Sequence, residues 1–301
     1  MIIIKVMGGL GNQMQQYALY DKLRSLGREV KLDLSWFHRD VQAKMATRRE
    51  LELTRFTGLT LEACTNAERE RFTNRSKAVR AFQSFFSISP VFTESEMYHP
   101  EILEFTDKYI EGYFACEKYY ADRLPALRQV FRFPTAVLEK RRLYNVELMN
   151  EMEERHSVSV HVRRGDYLSP ENAELFGGIT TDAYYDAAMA LFIAREPRTH
   201  FYLFSDDPEY LRKKYSNPDR FTIVEGNVGR ESMLDVQLMS HCHGNICANS
   251  TFSFWGARLN AHPDRVAVRP LVMRNNQEAT PARMHELWEN WVLIDATGRA
   301  V

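Results

Sequence analysis

Long apolar runs are missing from this 301-residue chain. The opening MIIIKV is apolar, but Gly8 and Gly9 interrupt it at once, and it is far too short for a secretory core or a membrane span. Neither sign of charge dominates. Lys and Arg number 39 against 40 Asp and Glu, and a formal net charge of -1 provides no basic field to hold nucleic acid against salt. Cysteine is scarce: Cys64, Cys116, Cys242 and Cys247 have neither the density nor the spacing of a disulfide framework, which fits free thiols in a reducing compartment. The chain is therefore expected in the cytoplasm.

One stretch, HCHGNIC, gathers His241, Cys242, His243 and Cys247, all possible soft metal ligands. Packing accounts for the cysteines without a metal. MLDVQLMSHC reads as an amphipathic helix turning Met233, Val236, Leu238, Met239 and Cys242 inward, and NICA reads as the buried strand after it.

With 45% hydrophobic residues, the chain can build one large domain or two of ordinary size. It opens as a strand over Ile2 to Met7, a glycine loop GGLGN, a helix from about Gln13 to Ser25 stopped by Gly27, and a strand EVKLDLSWF. The charged middle, Gln42 to Ser89, reads mostly helical. The aromatic-dense DKYIEGYFACEKYY shows no clear period, and Ala121 to His156 reads as a further helical run. The second half alternates strands (SVSVHV, HFYLFSDD, FTIVEGN, GNICANS, DRVAVRP) with helical patterns such as DAYYDAAMALFIARE, which implies a parallel sheet covered on both faces. The economical reading is an α/β chain of two Rossmann-like lobes facing a cleft, 1–150 and 151–301.

Ligands of open parallel sheets bind beyond the carboxyl ends of the strands. The strand SVSVHV delivers His161, Arg163, Arg164, Gly165 and Asp166 there; HFYLFSDD delivers Ser205, Asp206 and Asp207; GNICANS delivers Asn249, Ser250, Thr251 and Ser253 ahead of a helix. Arginine grips phosphate oxygens through paired donors, and a Ser/Thr-rich helix start adds hydroxyl and N–H donors, so the three sets together describe a diphosphate site. His161 and a carboxylate suit the edge of a nucleobase, a guanine's N–H face in particular. Asp207 reads as the N-cap of a helix with Pro208 at its first position, which leaves Asp206 as the ligand.

The glycine loop with Asp33 on the next strand imitates a dinucleotide fingerprint and raises a nicotinamide oxidoreductase as a rival. In GGLGNQM only Gly9 and Gly11 stand in register, and Met14 takes the place of the third glycine. The loop can still bring N–H groups and Asn12 to an anion or sugar.

GGLGNQM with QYA behind it, GYFACEKYY, HVRRGDY, the Tyr184–Tyr185 pair, FSDD, DVQLMSHC and ANSTFSFWGARLN occur here in one order. In this ordered set the chain resembles the bacterial α-1,2-fucosyltransferases of glycosyltransferase family 11, over nearly its whole length. The resemblance implies a GT-B architecture and inverting, metal-independent transfer of L-fucose from GDP-β-L-fucose to the 2-hydroxyl of a terminal galactoside. The acceptor would be an oligosaccharide or a lipid-linked glycan, the second placing the protein at the inner face of the cell membrane. Arg163 matches the arginine that grips the β-phosphate, His161 and Asp206 match guanine-side positions, Thr251 and Ser253 lie in the turn that meets the phosphates, and Asn12 would face the fucose. Asp166 and Glu117 are the candidates for the base, with Tyr113, Phe114 and Tyr119 as an aromatic acceptor platform. The sequence departs from the family pattern at Gln15, Phe254 and VRPLVM, away from the donor motif. A transferase using another GDP-sugar, or a sugar-nucleotide binder without turnover, fits the same donor residues.

Overall fold

The computed structural model describes residues 1–45, 47–74, 89–95 and 98–301, the side chains of Asp166 and Glu171 excepted. The chain divides into two compact units, Met1–Arg132 and Phe133–Val301.

In the first unit a four-stranded parallel sheet is formed by β1 (Ile2–Lys5), β2 (Val30–Asp33), β3 (Val91–Thr93) and β4 (Lys108–Glu111), in the order β2-β1-β4-β3. Ile2, Ile3 and Ile4 are fully buried, so the strand reads as an unbroken apolar run, as a sheet covered on both faces requires. The helix Leu10–Ser25 carries the chain from β1 to β2. It starts earlier than Gln13 because the Gly9 carbonyl already accepts from Asn12 and Gln13. It closes at Gly27, whose N–H donates to the Arg24 carbonyl and whose φ of 75° turns the chain so that Arg28 N–H reaches the Leu23 carbonyl.

The expected helical middle is largely not helical among the described residues. It holds one α-helix, Asn66–Thr73, closed by a reciprocal Thr65–Glu68 cap, and 75–88 lie outside the described residues. The single helical run expected over Ala121 to His156 is also two helices, Leu124–Val130 and Glu139–Glu154. Pro134 lies between them and bars its predecessor from helical geometry.

The second unit holds a six-stranded parallel sheet: β5 (Ser157–Val162), β6 (His200–Ser205), β7 (Phe221–Ile223), β8 (Gly244–Ile246), β9 (Val266–Pro270) and β10 (Trp291–Ile294), in the order β10-β9-β8-β5-β6-β7. Counted from β5 as first strand this is the 3-2-1-4-5-6 order of a doubly wound sheet. Val158, Val160, Val162, Phe201, Leu203 and Ile246 pack with Tyr184, Tyr185 and Phe192 of the helix Asp182–Arg195 to form its core. Met233, Val236, Leu238, Met239, Cys242 and Cys247 are buried as packing demands.

The boundary falls before 150 because the helix Glu139–Glu154 belongs to this second unit. Met152 is fully buried, and Asn145 Nδ2 donates to Asn227 Oδ1 at 3.0 Å. Two Rossmann-like parallel α/β units in one chain is the composition of the GT-B architecture.

Candidate functional site

In the second unit β5 lies between β6 and β8, and the chain leaves β5 toward one edge of the sheet and β8 toward the other. Loops diverging from adjacent parallel strands open a crevice at their carboxyl ends, and here the two loops are VRRGDY and ANSTFS.

The register Val162 opposite Ser205 brings the residues after β5 beside those after β6. Asp206 Oδ1 accepts the N–H groups of Arg164 (3.0 Å) and Gly165 (3.1 Å), and its Oδ2 pairs with Arg163 Nη1 at 2.7 Å. A Cβ on residue 165 would lie 2.3 Å from Asp206 Oδ2, so glycine is the residue that leaves room for the carboxylate. Asp207 caps the helix Pro208–Lys214 through Tyr210 N at 3.1 Å, as the sequence predicted. Its other oxygen takes Arg164 Nε at 3.0 Å, and the Arg164 guanidinium lies 3.8 Å over the Tyr210 ring. The cap bond and then Arg164 hold the Asp207 carboxyl below the usual range. Asp206, read from the sequence as a nucleobase ligand, is thus engaged in fixing the loop and Arg163, while Asp166 lies outside the residues whose side chains are described.

His161 sits on β5, nearly fully buried, with its ring centroid 5.6 Å from that of Phe252. Burial first, and the Arg163 charge second, push its pKa down to about 3, so the imidazole is neutral. Its Nδ1 is buried with no hydrogen-bond partner among the described residues.

Ser250 is the N-cap of the helix Thr251–Leu259, and its own side chain makes no cap bond. Thr251 and Phe252, both partly exposed, occupy the first turn. Two expected ligands turn out to brace the loop. Asn249 is buried, its amide donating to the Phe176 (3.1 Å) and Met273 (3.2 Å) carbonyls, and the buried Ser253 hydroxyl donates to Ser250 O at 3.1 Å. The site therefore gathers a guanidinium oriented by a carboxylate, a helix start and a neutral buried imidazole. That set can receive a polyphosphate and a heterocycle.

At the carboxyl edge of the first unit's sheet, Gly9 is the helix N-cap, while Gly11 and Asn12 lie within the first helical turn rather than in a loop. The glycine that geometry demands is Gly8: its φ is 83°, and a Cβ there would lie 2.6 Å from Asn12 Nδ2. Sequence reading missed two buried glutamines that staple this edge. Gln13 Nε2 donates to Gly8 O and Glu50 O, each at 2.9 Å; Gln16 Oε1 accepts Met7 N–H at 3.0 Å while its Nε2 donates to Gly112 O at 2.9 Å. The signal in the sequence was the run Gln13, Gln15 and Gln16 amid the apolar residues of a helix that follows a buried strand.

Glu117 opens a single turn, Glu117–Tyr119, and is partly exposed. Of the expected aromatic platform only Tyr113, 46% exposed, presents its ring; Phe114 and Tyr119 are fully buried in the core and are corrected to structural roles.

The sequence profile described as glycosyl transferase family 11 matches residues 97–295. The O-antigen biosynthesis glycosyltransferase WbnK of Escherichia coli is 30% identical over 87% of this chain and 91% of its own length. The alpha-1,2-colitosyltransferase of Escherichia coli is also 30% identical, over 98% of this chain and 99% of its own. The galactoside alpha-(1,2)-fucosyltransferase 1 of Sus scrofa is 36% identical over 34% of this chain and 28% of its own. Among solved structures, the NodZ alpha-1,6-fucosyltransferase soaked with GDP-fucose aligns with a TM-score of 0.45 at 16% identity, covering 86% of this chain and 92% of that one. With a family profile spanning most of the second unit and relatives aligned over nearly the full chain, this protein belongs to glycosyl transferase family 11.

Proposed function

We propose that this glycosyltransferase moves L-fucose from GDP-β-L-fucose to the 2-hydroxyl of a terminal galactoside, inverting the anomeric centre and using no metal. The observation that carries the reading is Arg163, held at 2.7 Å by Asp206 in the loop after β5, the strand paired with β8, whose own loop leads into the helix Thr251–Leu259. Two kinds of donor converge there on one anion. In the reaction the acceptor oxygen attacks the sugar's anomeric carbon as the bond to the β-phosphate oxygen breaks, and the electron pair leaves on GDP. Arg163 and the helix start stabilise that charge, the work a divalent cation would otherwise do. The neutral His161 imidazole offers a hydrogen bond without adding charge. The acceptor proton goes to a carboxylate, for which Asp166 and Glu117 are the candidates, and an oxocarbenium-like transition state asks only a weak base. The α-1,2 linkage in the names of two relatives supports the linkage assigned here.

The colitosyltransferase relative favours a second reading, with a colitosyl donor in place of fucosyl at the same diphosphate site. The reading takes the protein to act in the cytoplasm or at the inner face of the cell membrane. Among the described residues no helix is long and apolar enough to cross a membrane. Titration calorimetry with GDP and UDP in EDTA, followed by linkage analysis of products from a panel of β-galactosides, tests the proposal. GDP is expected to bind in EDTA and UDP to bind weakly. Dependence on added manganese would refute the metal-free site, and a product made only from the colitosyl donor would select the second reading. Arg163→Lys is expected to lose most of the turnover, because an ammonium cannot reproduce a planar two-donor contact.

A further inference from the structure

In the first unit β3 and β4 pair with Thr93 opposite Glu111, so the next residue of each strand, Glu94 and Gly112, stand side by side. Glu94 N–H donates to Glu111 O at 2.7 Å. A Cβ on residue 112 would lie 2.5 Å from Glu94 Cβ and 2.7 Å from its Oε2, so glycine admits the glutamate. Through that gap Glu94 Oε2 accepts the N–H groups of Tyr113 at 2.9 Å and Phe114 at 2.7 Å. Phe114 stands at a φ of 50°, the one non-glycine residue at positive φ among the described residues. Such a backbone costs of order 1 kcal/mol or more and persists only when its surroundings over-determine it. Here they do: the Tyr119 hydroxyl hydrogen-bonds Glu94 and accepts His99 N–H at 3.0 Å, and Gln16 grips Gly112 O from the other side. The turn so held exposes Tyr113 and leads within a few residues to Glu117.

We propose that Glu94 is a positioning residue for the acceptor: its carboxylate fixes the Gly112–Phe114 turn and so sets where the Tyr113 ring and the Glu117 carboxylate meet the galactoside. The inference rests on the galactoside-transfer reading above. A neutral sugar is bound through aromatic faces and hydroxyl partners rather than ion pairs, and the groups this turn carries are of that kind. Nothing in the local sequence assigns Glu94; the chain reaches Gly112 from it only through the strand register.

Glu94→Ala and Glu94→Gln test the proposal, the second keeping an oxygen that can accept both N–H groups. Three quantities are read: amide hydrogen exchange of the segment 112–116, GDP affinity by calorimetry, and kcat and KM for a β-galactoside. In Glu94→Ala, exchange at Tyr113 and Phe114 is expected to quicken at least tenfold while β1 amides stay protected, acceptor KM to rise about tenfold, and GDP affinity to stay within twofold; Glu94→Gln is expected to fall between this and wild type. Unchanged exchange at 113 and 114, or an unchanged acceptor KM in Glu94→Ala, would overturn the proposal. So would a loss of GDP affinity equal to the loss of acceptor handling. If the wild-type protein transfers to no galactoside, the functional reading itself fails, and the exchange rates alone then decide whether Glu94 holds the turn.

Discussion

At the carboxyl edge of each sheet a carboxylate ending one strand reaches past a glycine to take two successive backbone N–H groups of the neighbouring strand's loop. In the first unit the pair is Glu94 and Gly112; in the second it is Asp206 and Gly165. The backbone device is the same, but its remaining partners differ. Asp206 turns its second oxygen to Arg163, and the adjacent Asp207 holds Arg164. Among the described residues Glu94 meets N–H groups and the Tyr119 hydroxyl, and the loops around it are stapled by the neutral amides of Gln13 and Gln16. Under the proposed function, the loop whose anchor also orients a guanidinium takes the anionic donor, and the one whose anchor meets neutral donors takes the uncharged acceptor. Burial pushes the Glu94 carboxyl up to about 7, against the hydrogen bonds of Phe114, Tyr119 and Tyr113, which favour its charged form.

The comparison breaks most visibly at Asp206. Asp206→Ala removes the carboxylate from Arg163 and from two N–H groups at once, and charged hydrogen bonds of this kind are each worth about 1.5–3 kcal/mol. GDP affinity is expected to fall about 10- to 100-fold with acceptor KM unchanged, as read by calorimetry and initial rates. If acceptor KM moves instead, the division of labour between the two edges is wrong. Gly165→Ala should reproduce the direction of this loss, since its Cβ would displace the same carboxylate.

A smaller effect separates the two anchors by pH. Glu94 has a folded pKa raised from 4.5 to about 7, so its favourable contribution is complete below about 4.5 and is lost as pH rises through about 7. Glu94→Gln, neutral throughout, should melt with wild type near pH 4.5 and above it at pH 8, by about 2–4 °C if roughly 1 kcal/mol is recovered. Asp206→Asn should show no such gain at pH 8, because its charge faces Arg163. Equal pH profiles for the two substitutions would erase the distinction drawn here.

The smallest expected change is at Asp207. Asparagine also caps helices, so Asp207→Asn keeps the bond to Tyr210 and loses the partly exposed pair with Arg164, and its thermal melt should lie close to that of wild type. GDP affinity should stay within about threefold. A loss as large as that of Asp206→Ala would move the orienting role from Asp206 to its neighbour.

What the sequence determined by itself was everything that depends on near neighbours in the chain. The alternation in SVSVHV, the Asp207–Pro208 cap and the Gly27 helix stop are local patterns, and each stands where the residues indicated. So is the clustering of Arg163 and Ser250 at strand ends, since strand ends are read from the same alternation. Tertiary structure alone decided which of the candidate side chains brace the loops. Asp206 and Asn249 have the chemistry of ligands, and only the pairing of β5 with β6 and the approach of Phe176 and Met273 commit them to bracing. Phe114 and Tyr119 have the chemistry of a sugar platform and are core. Strands as short as β3 carry too few residues to show a period, so the register that sets Glu94 against Gly112 has no imprint in the local sequence. A side chain's type limits what bonds it can make, but its partner is fixed by strand register and packing between residues far apart in the chain, and that is information only the folded molecule holds.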